Sequence, residues 1–260
     1  MNDWSLDTWS VAIGVISNIV YFVLGGTVLL IARWIARSFP GKRIWQLTDQ
    51  DDLTVAASTT HDEVTVDGYH RRSTGVGEFR ALAVVITSLN LTYRNIRIRN
   101  MRLSQEPIGE KLANDIILLG GPKNNRIAKR FLAEVQRLNV VELAENGVFS
   151  WKVKGEEKTC QAKLETDLVT GELDVLEDYG LIICTRNPDS SFKTRACLFA
   201  GSHTYGTVAA ALYFTGQQSF AEQRKKWART YIAIVRCKVQ DKFPVNIHRV
   251  AVWTDSKKSF

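Results

Sequence analysis

Proline is scarce in this sequence, five among 260 residues, and no segment is of low complexity. With 45% apolar and 23% charged residues, that composition excludes a chain that stays disordered. Histidine and cysteine are as sparse, at four each. His61, His70, His203 and His248 are scattered, without paired spacing, which excludes a metal cluster of ordinary pattern. Cys160, Cys184, Cys197 and Cys237 show neither metal-ligand nor redox-motif spacing. Three of them lie in strand-like apolar runs, where a free cysteine behaves as a small hydrophobe, so the sequence suits a reducing compartment. There is no internal repeat, no Ser-His-Asp or Cys-His order, and nothing that calls for a cofactor.

Charge is unbalanced only mildly. Lys and Arg number 34 against 27 Asp and Glu, a formal net charge of +7. That falls below the level of a dedicated nucleic-acid binder, and nucleic acid is not an expected partner. Basic groups cluster at Arg33/Arg37/Lys42/Arg43, Arg94/Arg97/Arg99/Arg102, Lys123/Arg126/Lys129/Arg130 and Arg224/Lys225/Lys226/Arg229. Most read as solvated surface; the Lys123 group follows a glycine turn.

What the chain does have is one long apolar run. Residues 11–32 (VAIGVISNIVYFVLGGTVLLIA) carry no charge and are long enough, at about 1.5 Å per residue, for a hydrocarbon core of about 30 Å. The leading flank is acidic (Asp3, Asp7) and the trailing flank basic, unlike a cleaved leader. Lys and Arg on the trailing side alone predict a single-pass inner-membrane anchor, with residues 1–10 outside and the remainder in the cytoplasm. Trp4, Trp9, Trp34 and Trp45 bracket the span. Within it, Asn18 calls for a polar partner on a neighbouring helix, which points to a homo-oligomer in the bilayer; a simple anchor that tolerates one Asn is the alternative.

After a connector at 33–51, residues 52–260 alternate apolar runs with amphipathic ones. Strand-like segments occur at 53–59, 96–104, 115–121, 178–188 and 195–201, and in the pair YIAIVRCKV and VNIHRVAVW. Helices are expected from 74–77 to about 93, with Phe79, Leu82, Val85, Ile86 and Leu89 on one face, and over 128–138, 207–214 and 220–228. Residues 147–177 read as an antiparallel β insertion. The expected fold is α/β: a Rossmann-like, mainly parallel sheet preceded by one transmembrane helix.

In such sheets ligands bind beyond the carboxyl ends of the strands, which selects four segments. In the first, Arg71 and Arg72 precede Thr74-Gly75-Val76-Gly77-Glu78, a glycine turn into a helix that could present N–H groups to a phosphate. It begins a G-x-G-x-x-G pattern, but Arg80 occupies the third glycine position. The second, Gly120-Gly121-Pro122-Lys123-Asn124-Asn125, is a strand-to-helix turn with an asparagine cap; it reads equally well as phosphate-binding or as structural. In the third, Asn187-Pro188 ends a strand, and Asn187 could contact a base or ribose; taken alone, the segment reads more readily as an Asn-Pro turn. The fourth, Gly201-Ser202-His203-Thr204-Tyr205-Gly206-Thr207, approaches P-loop spacing without the lysine, favouring phosphate binding without hydrolysis. Glu78 and His203 are the candidate acid/base residues; the simpler readings are a first-turn dipole partner and a loop contact.

A membrane helix on a cytosolic Rossmann-like domain, with candidate ligand turns at Gly75-Val76-Gly77, Gly120–Asn125 and Gly201–Thr207, resembles the membrane-anchored CARF- or SAVED-type effectors of bacterial antiphage systems. The resemblance implies a cytosolic sensor for a cyclic oligonucleotide coupled to a responding membrane part. It is one of whole-chain layout and transfers no site residue. Three functions are therefore expected: a sensor or effector that binds a nucleotide-like small molecule, a tethered enzyme acting on a nucleoside, NAD or sugar nucleotide, or a scaffold whose glycine turns are only structural.

Overall fold

The computed structural model describes residues 23–24, 27–28, 41–49, 51–59, 64–66, 69–71, 74–93, 96–136, 140–153, 156–166, 171, 173–216 and 220–254. Its centre is built from the shortest and most apolar runs. β1 (Thr54–Ala57) and β5 (Ile116–Leu119) are buried at every residue, the mark of strands covered on both faces. β4 (Met101–Leu103) and β11 (Arg195–Gly201) complete a parallel group in the order β11-β5-β1-β4.

The other half of the sheet is antiparallel. β10 (Leu173–Arg186) pairs with β11 and with β12 (Tyr231–Gln240), and β13 (Phe243–Thr254) closes the edge. β9 (Lys163–Thr166) pairs with the first residues of β10. The sheet is therefore mixed, with eight strands, where a mainly parallel one was expected. The expected insertion exists as a separate antiparallel sheet of β6 (Val141–Leu143), β7 (Phe149–Val153) and β8 (Glu156–Cys160). β2 (Val64–Val66) and β3 (Tyr69–Arg71) form a hairpin. The expected strand at 96–104 is shorter, because Ile98–Asn100 forms a 3-10 turn before β4.

Alternation along the strands sends side chains to two cores. On one face, Val55, Ala57, Ile117, Leu119, Ile182, Cys184, Cys197 and Phe199 pack beneath α1 (Val76–Thr92) and α3 (Thr204–Thr215). On the other, Ala56, Leu118, Leu181, Ile183 and Leu198 meet α2 (Arg126–Gln136) and the small sheet through Phe131, Leu132, Phe149 and Trp151. α4 (Phe220–Lys226) leads into β12. The buried stripe of α1 is Gly77, Ala81, Val85, Leu89 and Thr92, and Phe79 is 62% exposed. The stripe is displaced from the expected one because the small residues Gly77 and Ala81 let α1 lie close against α3.

The membrane helix expected at 11–32 is corrected by the structure. A bilayer requires about 20 consecutive apolar helical residues, and among the described residues no helix is long and apolar enough to cross a membrane. The inner-membrane placement built on that helix is withdrawn with it. Of the span, residues 23–24 and 27–28 are described, as helical residues with exposed side chains; Asn18 lies outside the described residues.

Trp45 is corrected too. Rather than marking a membrane interface, it is 1% exposed within the first core, edge-on to Phe199 and Phe214, and its Nε1 donates to Ser88 Oγ at 3.1 Å. The domain's packing thus begins within the expected connector. Farther along, the amides of Thr48 and Asp49 donate to Asp115 Oδ2 at 2.5 and 2.8 Å.

Candidate functional site

The carboxyl ends of β1, β5 and β11 lie side by side, and three helices begin there. Each of the three starts in a different way, and the difference decides which turn is open to a ligand.

α2 is closed by the chain itself. Asn125, fully buried, accepts from the amides of Ile127 and Ala128 at 3.1 and 2.9 Å. Its Nδ2 donates to the carbonyls of Leu119 and Ala56 at 3.0 and 3.3 Å. That is an N-cap that also ties the helix to two strand ends. Gly120 adopts φ +96°, and a Cβ there would overlap Ser58 Oγ. Gly121 accepts from Asn124 and Asn125 N–H. The carbonyl of Asn124 takes Thr59 N–H and Ser104 Oγ, while its Oδ1 is buried without a hydrogen-bond partner.

α3 is closed by Asp178, a residue the sequence reading left out of the site. Asp178 is fully buried at the start of the apolar part of β10. Its Oδ2 accepts from Gly206 N–H at 2.5 Å, and its Oδ1 from Tyr179 and His203 N–H at 2.7 and 3.2 Å. A carboxylate thus takes the Gly206 amide of the first turn and the His203 amide before it, where an anionic ligand was expected. Burial pushes its carboxyl up to about 6, against the opposing pull of the Gly206, Tyr179 and His203 amides. The glycines here serve close packing: a Cβ at Gly206 would overlap the Tyr179 carbonyl, one at Gly180 the Gly206 carbonyl, and one at Gly201 the backbone of His203 and Thr207. Ser202 Oγ donates to Gly147 O at 2.5 Å, Thr207 is buried, and the His203 side chain is exposed.

α1 differs. Its N-cap is Gly75, which has no side chain of its own to cap it, and among the described residues no other side chain accepts from its first turn. Among the described residues its first-turn N–H groups thus have no side-chain acceptor, and the Glu78 carboxylate is the charge at its positive dipole end. Around it stand Glu78, whose carboxylate lies beside Gly75 and whose Cγ approaches Gly120, and Thr204, whose hydroxyl abuts Gly77. Thr74 Oγ1 is buried without a hydrogen-bond partner. Arg71 sits in β3, of whose side chains nothing is described, and Arg72 lies outside the described residues.

Three of the four expected segments thus meet at one edge. The third does not. Since β10 runs against β11, Asn187 lies at the opposite edge, where its Nδ2 donates to Leu112 and Asn114 carbonyls at 2.6 and 2.7 Å. Its role there is to hold the entry to β5, which corrects the expected base or ribose contact. Asp178 had one signal in the sequence, an acidic residue opening an apolar run beside a glycine. No family model, curated protein or solved structure matches this chain.

Proposed function

We propose that the chain is a ligand-binding α/β protein that holds a phosphorylated, nucleotide-like small molecule at the carboxyl edge of β1 and β5, with the phosphate on the first turn of α1. One observation carries this reading. Of the three helices that begin at that edge, α2 has the Ile127 and Ala128 amides taken by Asn125 and α3 has its Gly206 amide taken by Asp178, whereas among the described residues no side chain accepts from the first turn of α1. Thr74 Oγ1 and Asn124 Oδ1 supply buried polar atoms without hydrogen-bond partners beside that turn. A phosphate needs backbone N–H donors, and the heterocycle and sugar of a nucleotide need such side-chain atoms.

Isothermal titration of the full chain with mononucleotides, NAD, sugar nucleotides and cyclic oligonucleotides tests the proposal. The expected result is saturable binding to one class. Thr74→Val should weaken it about tenfold, by loss of one buried hydrogen bond. Silence across the panel would leave the glycine turns as packing devices only. Turnover of a bound ligand that stops in Glu78→Gln would convert the reading into an enzyme with Glu78 as its acid/base group.

A further inference from the structure

A pair of cysteines lies away from that edge, in the middle of the sheet. Cys184 and Cys197 stand directly opposite each other in the β10–β11 ladder. Both are fully buried on the face covered by α1 and α3. Opposed residues of an antiparallel pair have Cα atoms about 4.5–5.5 Å apart, within the roughly 4.4–6.8 Å that a disulfide spans. The turn at Asn187-Pro188 that brings β11 back onto β10 creates the pair, which explains why the sequence spacing concealed it.

Beside them is a cation without an anion. Arg195, on the same strand as Cys197, is 4% exposed. Its terminal N–H groups donate to the carbonyls of Arg229 and Ala228. Its Nε has no hydrogen-bond partner of ordinary geometry, and among the described residues its guanidinium forms no ion pair. Asp115, the nearby carboxylate, accepts the Arg195 backbone amide instead. Burial alone would raise the Cys197 thiol. The neighbouring Cys184 and the charge of Arg195 outweigh burial and bring it below its ordinary value. Cys184 is held above its ordinary value, by burial first and then by Cys197. Since Nε makes no ordinary hydrogen bond, the pull of Arg195 on the sulfur is chiefly electrostatic. Burial holds the other two thiols, Cys160 and Cys237, up at about 12.

We propose that Cys184 and Cys197 form a dithiol–disulfide redox site, with Cys197 as the attacking sulfur, Cys184 as the resolving one and Arg195 as the positioning cation. The oxidant is a hydroperoxide. The Cys197 thiolate attacks the distal oxygen, the O–O bond breaks, and the leaving alkoxide or hydroxide takes a proton from solvent. Cys197 is then a sulfenic acid. The Cys184 sulfur attacks Cys197, the S–O bond breaks, and the departing hydroxide leaves as water with the Cys184 proton. Two electrons pass from the thiols to the peroxide, giving one disulfide, one alcohol or water, and one further water. Both thiols are fully buried, so peroxide, a small molecule, reaches them when the helix layer over the sheet opens locally.

The test treats the full chain with hydrogen peroxide, alkylates free thiols and maps unreduced peptides by mass spectrometry. A single cross-linked peptide containing Cys184 and Cys197 is expected, with intact mass lower by about 2 Da. In Cys184→Ser the reaction should stop at a sulfenic acid on Cys197, trapped by dimedone. Arg195→Gln should slow that labelling about tenfold and move its pH midpoint upward. The proposal is overturned if Cys184 and Cys197 stay reduced while Cys160 or Cys237 is oxidised, or if no cross-linked peptide forms. Both readouts follow individual cysteines in wild type and Cys184→Ser, so misfolding of the Arg195 variant would not protect the idea.

Discussion

Two buried ionisable side chains write opposite pH dependences into this protein. Asp178 has a carboxyl pushed up to about 6, by burial more than its amide partners pull it down. The folded state therefore binds its proton more tightly than the unfolded chain. Its contribution to stability is present below about 4, the unfolded value, and is lost as pH rises through about 6. Urea melts at pH 4.5 and 7 should show this loss in the wild type and a smaller difference in Asp178→Asn. Lys226 is the reverse case. It is fully buried, with Nζ donating to the carbonyls of Tyr213 and Phe214 at 2.8 and 2.6 Å at the C-terminal end of α3. Burial lowers its ammonium to about 7. The unfolded chain holds that proton more tightly, so stability rises between pH 7 and about 10. Lys226→Met should flatten that rise in thermal melts. The sequence showed Lys226 only as one member of a basic run. Its burial depends on where α4 falls against the end of α3, which no local pattern reveals.

At the scale of elements, the contact between α1, α3 and β10 is made by small residues. Gly206 lies against the Tyr179 carbonyl and Gly180 against the Gly206 carbonyl. Backbone cannot move aside as a side chain can, so Gly206→Ala should cost about 1–3 kcal/mol by overpacking, read as a lower urea midpoint at unchanged slope. Ligand binding at α1 should survive in the folded fraction of that variant, since α1 supplies its own amides. The positions of α1, α2 and α3 were legible in the sequence, because a glycine turn into an apolar run marks a helix start wherever it occurs. The burial stripe of α1 was legible in part: Val85 and Leu89 are buried, and Leu82 and Ile86 pack against the same core. Periodicity also favoured Phe79, which is exposed, whereas at the start of the helix the facing surface is α3, against whose Thr204 lies Gly77. Asp178 escaped for a related reason. The carboxylate caps a helix that begins at His203, and only the β10–β11 pairing joins the two segments.

For the molecule as a whole, the packed unit extends back to the helical turn at 41–45. Trp45 joins Phe199, Phe214 and Tyr231 in one aromatic cluster, and Arg43 stacks over Trp227. Trp45→Ala should cost about 3–5 kcal/mol. A fragment starting at residue 52 should lose a comparable amount against one starting at 41, as measured by thermal melting. The sequence assigned Trp45 to a membrane boundary because aromatic residues beside an apolar run fit either role. Only the cavity beneath α3 distinguishes them. The α/β class was readable from alternating elements, but strand direction was not. An apolar strand buried on both faces looks the same whether its neighbours run with it or against it.

The order of strands at the centre also sets a timetable. β5 is flanked by β1 and β11, so Ile116 must find Thr54 on one side and Ala196 on the other. The β12–β13 hairpin and α1 can form early from neighbouring residues. The middle of the sheet closes only after the entire small sheet and most of β10 lie between its two halves. Closing such distant contacts is entropically slow. Refolding should therefore pass through a stage with a formed β10-β12-β13 half and an open β5 edge, the stage at which this protein would be most exposed to aggregation.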